Sequence, residues 1–400
     1  GTFRGPDGMT YDSFGNLYIV DSYMSRIQRL AADHTFIWAA GWGVEDGTNE
    51  FQVCTVALTC ERGIDGSGDG QFDYAPHGIA FSTTTGYVYV ADTPNARIQV
   101  FDTNGNYVTK FGTSGTGDGQ FGQPYGLAFD AAGNLLVTDA GPGYGGSDNP
   151  GNDRIQKFTP GGVFISKFGS KGTGNSQFNK PHGIGISPYT GDIYISDTQN
   201  HRIQQFDSSG NFIRKWGSAG TTEGKFDRPQ SIDFDSSGAV YVADNGNDRV
   251  QKFTSNGTFI SMWGWGVDDG SSALQFCTSG CQIGPYSQGS EDGRFDAPHG
   301  LAFDSNGNLS IADFFTFKIE VFSTPSSSTF NLDPQGTVVA SYLSLASSTA
   351  ITSATCTDCT DAGNNTNWTF AVTPEPTPES TPTPSSTSSS GGSSASSRIA

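Results

Sequence analysis

Short runs in which apolar and polar residues alternate follow one another along most of the chain, broken by Gly, Asn and Asp. The fullest set is Gly78-Ile79-Ala80-Phe81, then Tyr87-Val88-Tyr89-Val90, then Arg97 to Phe101, then Asn106 to Phe111. A period of two with β-branched and aromatic residues predicts strands. Asn104-Gly105 and Ser209-Gly210 fall between the third and fourth strands, where a hairpin turn needs positive φ. The set recurs six times. Its leading proline is Pro6, Pro76, Pro124, Pro181, Pro229 and Pro298. The Asp closing the second strand is Asp21, Asp92, Asp139, Asp197, Asp244 and Asp313, and the basic residue after it is Arg26, Arg97, Arg154, Arg202, Arg249 and Lys318.

Four antiparallel strands per unit make a blade, and a ring of blades protects its edges. The expected fold is all-β: a six-bladed β-propeller of four-stranded antiparallel blades with a Ser/Thr/Pro-rich C-terminal tail. Blades are expected to start near residues 3, 72, 121, 178, 226 and 295 within a propeller spanning 1–343. Blade one opens at Pro6-Asp7-Gly8-Met9, and the fourth strand of blade six is expected at Thr337–Tyr342, so each blade is complete in itself. A Cys-containing extension, 344–372, and a low-complexity tail, 373–400, follow. An Asp and an Arg bracketing a turn in nearly every blade, as Asp92 and Arg97 do, read as architecture.

The phrases PHGIAF, PYGLAFD, PHGIGIS and PHGLAFD, with YVADTPNARIQVF, YISDTQNHRIQQF and YVADNGNDRVQKF, resemble the NHL repeat family over residues 3–341. That resemblance implies the same propeller. It implies no single activity, because propellers host many.

Composition narrows the partners. The formal charge of -19 argues against nucleic acid and anionic membranes; it suits structural calcium. No apolar run is long enough to cross a bilayer as a helix. Six cysteines form close pairs, Cys54 with Cys60, Cys277 with Cys281, and Cys356 with Cys359. Local disulfides are the simplest pairing, and they imply a secreted or cell-surface protein. Two pairs lie in matching long insertions that begin Gly41-Trp42-Gly43-Val44 and Gly264-Trp265-Gly266-Val267. A third insertion, between Asp139 and Arg154, carries Tyr144. The Pro/Thr/Ser tract from Thr373 reads as an extended stalk. Asn256, Asn364 and Asn367 head N-x-Thr sequons, as in a glycoprotein. Residues 366–372, which include the apolar stretch Trp368–Val372, are suited to strand donation between copies, one route to a filament.

Three of the five histidines, His77, His182 and His299, occupy one slot of the repeat in alternate blades; Asp7, Tyr125 and Gln230 fill it elsewhere. In a six-fold ring these imidazoles are three-fold related and face one axis. Three His nitrogens suit zinc or another transition metal. The pattern also resembles the amidating lyase that cleaves peptidyl-hydroxyglycine, and that resemblance implies His77, His182 and His299 as zinc ligands and Tyr144 as the catalytic residue. Two positions depart from it: Asp21-Ser22-Tyr23 stands where the lyase has its catalytic Arg, and Ala297 where it has Met. No organic cofactor is indicated. The chain therefore reads as an interaction module for protein or glycan surfaces, or for copies of itself, with a metal-dependent lyase as the alternative.

Overall fold

In a computed structural model, the described residues are 2–323, apart from 58 and the segments 142–151, 271–273 and 283–293, together with the backbone of short strands between 339 and 371. Two compact units result, Gly1–Ser326 and Ser327–Ala400.

The first unit is the six-bladed propeller. Blade two shows the basic plan: Ile79–Phe81, Val88–Asp92, Arg97–Phe101 and Tyr107–Phe111 pair in sequence order, all antiparallel. Blades three and four repeat it over Gln123–Phe168 and Pro181–Trp216. The second strand of each is buried throughout, because it lies between two sheets, and so its alternation is masked by apolar residues on both faces. Aromatic rings fill the spaces between sheets, among them Phe72, Phe101, Phe121, Phe158, Phe178 and Phe206, all fully buried.

The two long insertions begin as strand rather than as loop. Phe51–Cys54 adds a fifth strand to blade one, and Leu274–Cys277 adds one to blade five. Each pairs with an extended fourth strand ending in the repeated Gly-Trp, and each is closed by its own disulfide, Cys54–Cys60 and Cys277–Cys281. Cys356 and Cys359 lie outside the residues whose side chains are described. Blade six has three strands among the described residues, Pro298–Phe303, Asn308–Asp313 and Lys318–Ser323. Its expected fourth strand pairs elsewhere: Val339–Ser341 runs parallel to Thr355–Thr357 in a sheet of the second unit.

The recurring Asp and Arg form an internal lattice. Asp92 and Arg97 are register partners, and Arg97 Nε donates to Asp92 Oδ2 at 2.7 Å. The Arg97 guanidinium also donates to the carbonyls of Ser67, Gly68 and Gln71, tying the blade to the connection that enters it. Gln99 donates to the same carboxylate and to Gln71 O. The same fork is made by Arg154, Arg202 and Arg249. A planar fork of donors can satisfy a carboxylate and several carbonyls together, which an ammonium cannot.

Blade six departs from the lattice, with Lys318 in the Arg position and Glu320 in the Gln position. Burial and the neighbouring Asp296 push the Asp313 carboxyl up to about 7, against the hydrogen bonds it accepts from Thr316 and from the Asp296 N–H. A carboxyl raised in the folded state favours folding when protonated. That advantage is complete below the unfolded value of 3.8 and is lost as pH rises towards 7. Asp313→Asn is therefore expected to match the native protein at pH 4 and to exceed it at pH 8 by about 1–2 kcal/mol in unfolding free energy. Melting curves across that range check it; equal stability at pH 8 would refute it.

Candidate functional site

The first strand of five blades carries a register shift just after its proline, as between Pro6 and Met9 or Pro181 and Ile184. A bulge re-aims the side chain at its extra residue. Here it turns the slot residue, Asp7, Tyr125, His182, Gln230 or His299, towards the central channel. His77 holds the same slot in blade two.

The residue after the slot is Gly in five blades, and it closes the ring. A Cβ on Gly78 would strike the Tyr125 carbonyl, one on Gly126 the His182 carbonyl, and one on Gly183 the Gln230 carbonyl. Gly8 meets His77 O, and its N–H donates to that oxygen at 3.2 Å. Gly300 meets Asp7 O, so the last blade touches the first by the same contact that joins the others. Blade five alone has a side chain there, Ser231.

This close ring brings the three predicted histidines together. The His77 and His182 ring centroids are 5.6 Å apart, and those of His182 and His299 are 6.3 Å apart. Tyr125 stacks on His182 at 4.2 Å. Asp7 was read from the sequence only as the residue filling the slot in blade one; its partnership with two histidines emerges here. Its Oδ2 lies 2.6 Å from His77 Nδ1 and 3.3 Å from His299 Nδ1. Burial opposes ionisation of Asp7, but the two imidazoles outweigh it and hold the carboxyl far below the usual carboxylate range. An ionised Asp7 can only accept, so His77 carries its proton on Nδ1. Burial, reinforced by His77 and His299, pushes His182 well below the usual imidazole range, leaving it neutral. Gln230, from the equivalent position of blade five, has a buried Oε1 with no hydrogen-bond partner.

The channel holds a cavity of about 430 Å³, lined by the ring residues Asp7, Tyr125, His182 and His299 and by inner-strand residues including Tyr11, Phe81, Phe129 and Asp233. Asp233 accepts the N–H groups of Phe303 and Phe234, yet burial still raises its carboxyl to about 6.

Above the ring, blades six, one and two carry a run of aromatic side chains. Phe314 stacks on His299 at 4.4 Å. Tyr23 meets Phe314 edge-on at 4.9 Å and stacks with Tyr74 at 5.3 Å; Phe315 meets Phe314 at 5.2 Å. Sequence reasoning missed this shelf, although two signals mark it. Phe314-Phe315-Thr316-Phe317 stands where other blades have Thr93-Pro94-Asn95-Ala96 or Thr198-Gln199-Asn200-His201, and Tyr74 is an extra residue before Pro76 relative to Ala297 before Pro298. Tyr144 lies outside the described residues.

The donor chemistry of the three imidazoles fits a transition metal: His182 is neutral, and a carboxylate on the second nitrogen is the usual companion of a ligating His. The spacing is wider than a bound ion would impose, since imidazoles on a tetrahedral ion place their centroids ~5 Å apart. Among the described residues, no group of His, Cys, Asp and Glu side chains has metal-ligating spacing.

These features define a closed six-bladed β-propeller with a polar ring at the mouth of its channel, a class built for display of loops and channel-facing side chains. The NHL repeat family matches residues 74–101, 178–206 and 226–253, which lie in blades two, four and five. Protein brain tumor of Drosophila melanogaster is 34% identical over 112 residues, covering 28% of this chain and 10% of that protein. Peptidylglycine alpha-amidating monooxygenase of Rattus norvegicus is 28% identical over 147 residues, covering 34% of this chain and 14% of that protein. The chain thus spans a small part of both relatives. Among solved structures, a protein of unknown function from Bacteroides thetaiotaomicron superposes with a TM-score of 0.53 at 15% identity, covering 81% of this chain and 70% of that one. A gluconolactonase from Xanthomonas campestris gives 0.50 at 14% identity, covering 81% and 87%. At such identities the likeness is one of fold.

Proposed function

We propose that the protein is an extracellular or cell-surface interaction propeller. Its C-terminal extension joins copies into a filament or matrix, and the face at the channel mouth meets protein or glycan partners. The observation that carries this is where the blades differ. The Asp–Arg–Gln lattice is buried and spent on architecture, while unlike polar and aromatic side chains collect at one end of the channel. The disulfides Cys54–Cys60 and Cys277–Cys281 support an oxidising location. Among the described residues no helix is long and apolar enough to cross a membrane. The strands Val339–Ser341, Thr349–Thr357 and Thr366–Ala371 give the extension β-structure of its own to contribute to assembly.

Size analysis and electron microscopy test this directly. The full chain is expected to form assemblies that a chain ending at Leu343 does not. Identical monomeric behaviour of the two would remove the assembly role.

A second reading has a specific observation behind it, the convergence of His77, His182 and His299 with Asp7. On that reading the three imidazoles hold zinc or another transition metal. The metal would polarise substrate oxygens and lower the pKa of water, and Tyr144 would act in cleavage of a peptidyl-hydroxyglycine. About one metal per chain is expected in protein purified without an affinity tag, lost in His182→Ala. Metal-free native protein with no cleavage of such a peptide would end this reading.

A further inference from the structure

We infer that the outer edge of blade six is a docking site for a second copy of this chain, whose strand Thr366–Ala371 completes the blade. The inference rests on the assembly reading above and names the two surfaces that meet. Among the described residues each chain has two unlike sheet edges of equal length. One is Lys318–Ser323, the last strand of the blade-six sheet. The other is Thr366–Ala371, the last strand of a sheet in the second unit, where it pairs with Thr349–Thr357 on one side. A sheet edge accepts a further strand through its backbone groups, and side-chain fit then decides which strand.

Blades one and two show what a fourth strand covers. The third strand of blade two is buried throughout, and Val100 in it is 2% exposed. Val321, at the same place in blade six, is 40% exposed. The twin insertions repeat the comparison on the preceding sheet. Phe51 and Val53 of blade one pack into the cluster that holds Phe101 and Tyr107, from the third and fourth strands of blade two. Leu274 and Phe276 stand at the same two places in blade five and are 41% and 61% exposed. One strand laid along Lys318–Ser323 would cover Val321 and both of these side chains.

The occupant follows from sequence and from the other edges. The fourth strand of blade one contains Phe36-Ile37-Trp38-Ala39-Ala40, with Trp38, Ala39 and Ala40 buried. Trp368-Thr369-Phe370-Ala371-Val372 has the same order: aromatic, β-branched, aromatic, Ala, aliphatic. This segment has no charge, Pro or Gly to blunt an edge. The outer strands of blades two, three and four do have such a device, in the exposed Lys110, Lys167 and Lys215. Blades one and five end on strands of four residues, each closed by a disulfide. In blade six the one lysine lies at the start of the edge strand, in register with Asp313. Because the two edges differ, each copy donates one strand and accepts one, and copies add head to tail.

The test follows assembly of the full chain by sedimentation and electron microscopy. Val321→Lys charges the accepting edge and Phe370→Lys the donated strand. Each alone is expected to abolish assembly while leaving the melting temperature of the propeller unchanged. Mixed in equal amounts, the two variants are expected to give dimers and nothing longer, since only one accepting and one donating edge remain intact per pair. Phe276→Ser, away from the paired edge, is expected to raise the concentration for half-assembly ~10-fold by removing apolar surface from the contact; it keeps the accepting side testable if Val321→Lys fails to fold. Ile165→Lys, at an exposed position on the outer strand of blade three, is expected to change nothing. Assembly by both single variants, longer species in the mixture, or equal loss on Ile165→Lys would overturn the inference. A full chain that stays monomeric would overturn the assembly reading together with it. Assembly that survives Val321→Lys and Phe276→Ser but needs the C-terminal extension would overturn this inference alone.

Discussion

Arg249→Ala is expected to destabilise the propeller by about 3–5 kcal/mol, the cost of leaving a buried charge without its partner. Arg249 is fully buried. Its Nε donates to Asp244 Oδ2 at 2.8 Å, and its terminal nitrogens donate to the carbonyls of Thr221, Thr222 and Lys225 at 2.6, 3.1 and 2.9 Å. Truncation removes all four donors at once and leaves a fully buried carboxylate behind. Arg249→Lys is expected to recover only part of the loss, because one ammonium cannot reach the carboxylate and three carbonyls together. Arg62 provides the contrast. It also pairs with an Asp, Asp65 at 2.6 Å, but both side chains are more than a third exposed. Removing it should change stability by less than about 1 kcal/mol. Denaturant unfolding of the three variants decides the matter, and similar values for Arg249→Ala and Arg62→Ala would show that the lattice is not what holds the blades.

Gly300→Ala is expected to cost about 1–3 kcal/mol, as overpacking does when the obstacle cannot move. The obstacle is the Asp7 carbonyl oxygen, part of the backbone of blade one. A methyl group there must push the last blade away from the first, so the damage should concentrate at that seam. Hydrogen exchange is expected to quicken in the inner strands Pro6–Tyr11 and Pro298–Phe303 before it does in blades three and four. Ser231→Ala is the control, because blade five already has a Cβ at the equivalent position; it should be close to neutral. A stable Gly300→Ala with unchanged exchange would mean that the inner contact is not required for closure.

The fold was legible because its signals are local and repeated. Proline, Asp and Arg positions fell in register, and strand alternation agreed with turn residues in each unit. The Asp92–Arg97 pairing followed from spacing alone. What escaped was information held between blades. Phe51–Cys54 and Leu274–Cys277 are too short and too close to Cys and Gly to announce themselves as strands, and they become strands by pairing with the extended Phe36–Trp42 and Phe259–Trp265. The pairing of Val339–Ser341 outside blade six follows from a parallel partner over a dozen residues away, which no local pattern specifies. At the site, the alternation of His77, His182 and His299 could be read directly, and the convergence of their rings followed from six-fold geometry. The role of Asp7 could not be read, because one carboxylate reaching imidazoles on both adjoining blades depends on the register shift that turns the slot inward. The shelf of Tyr23, Tyr74, Phe314 and Phe315 was hidden for a similar reason: its members come from three blades and two kinds of loop.

The glycine-to-carbonyl contact runs the same way round at every junction where a glycine is present, from each inner strand to the one that follows it, and from the sixth to the first. Viewed down the axis, the inner wall has a sense of rotation but no beginning. Whatever enters the mouth of the channel meets a surface indifferent to where the polypeptide starts. The three-fold alternation of imidazoles, the placement of one carboxylate and the aromatic run on one side are then among the marks by which it can tell one direction of approach from another.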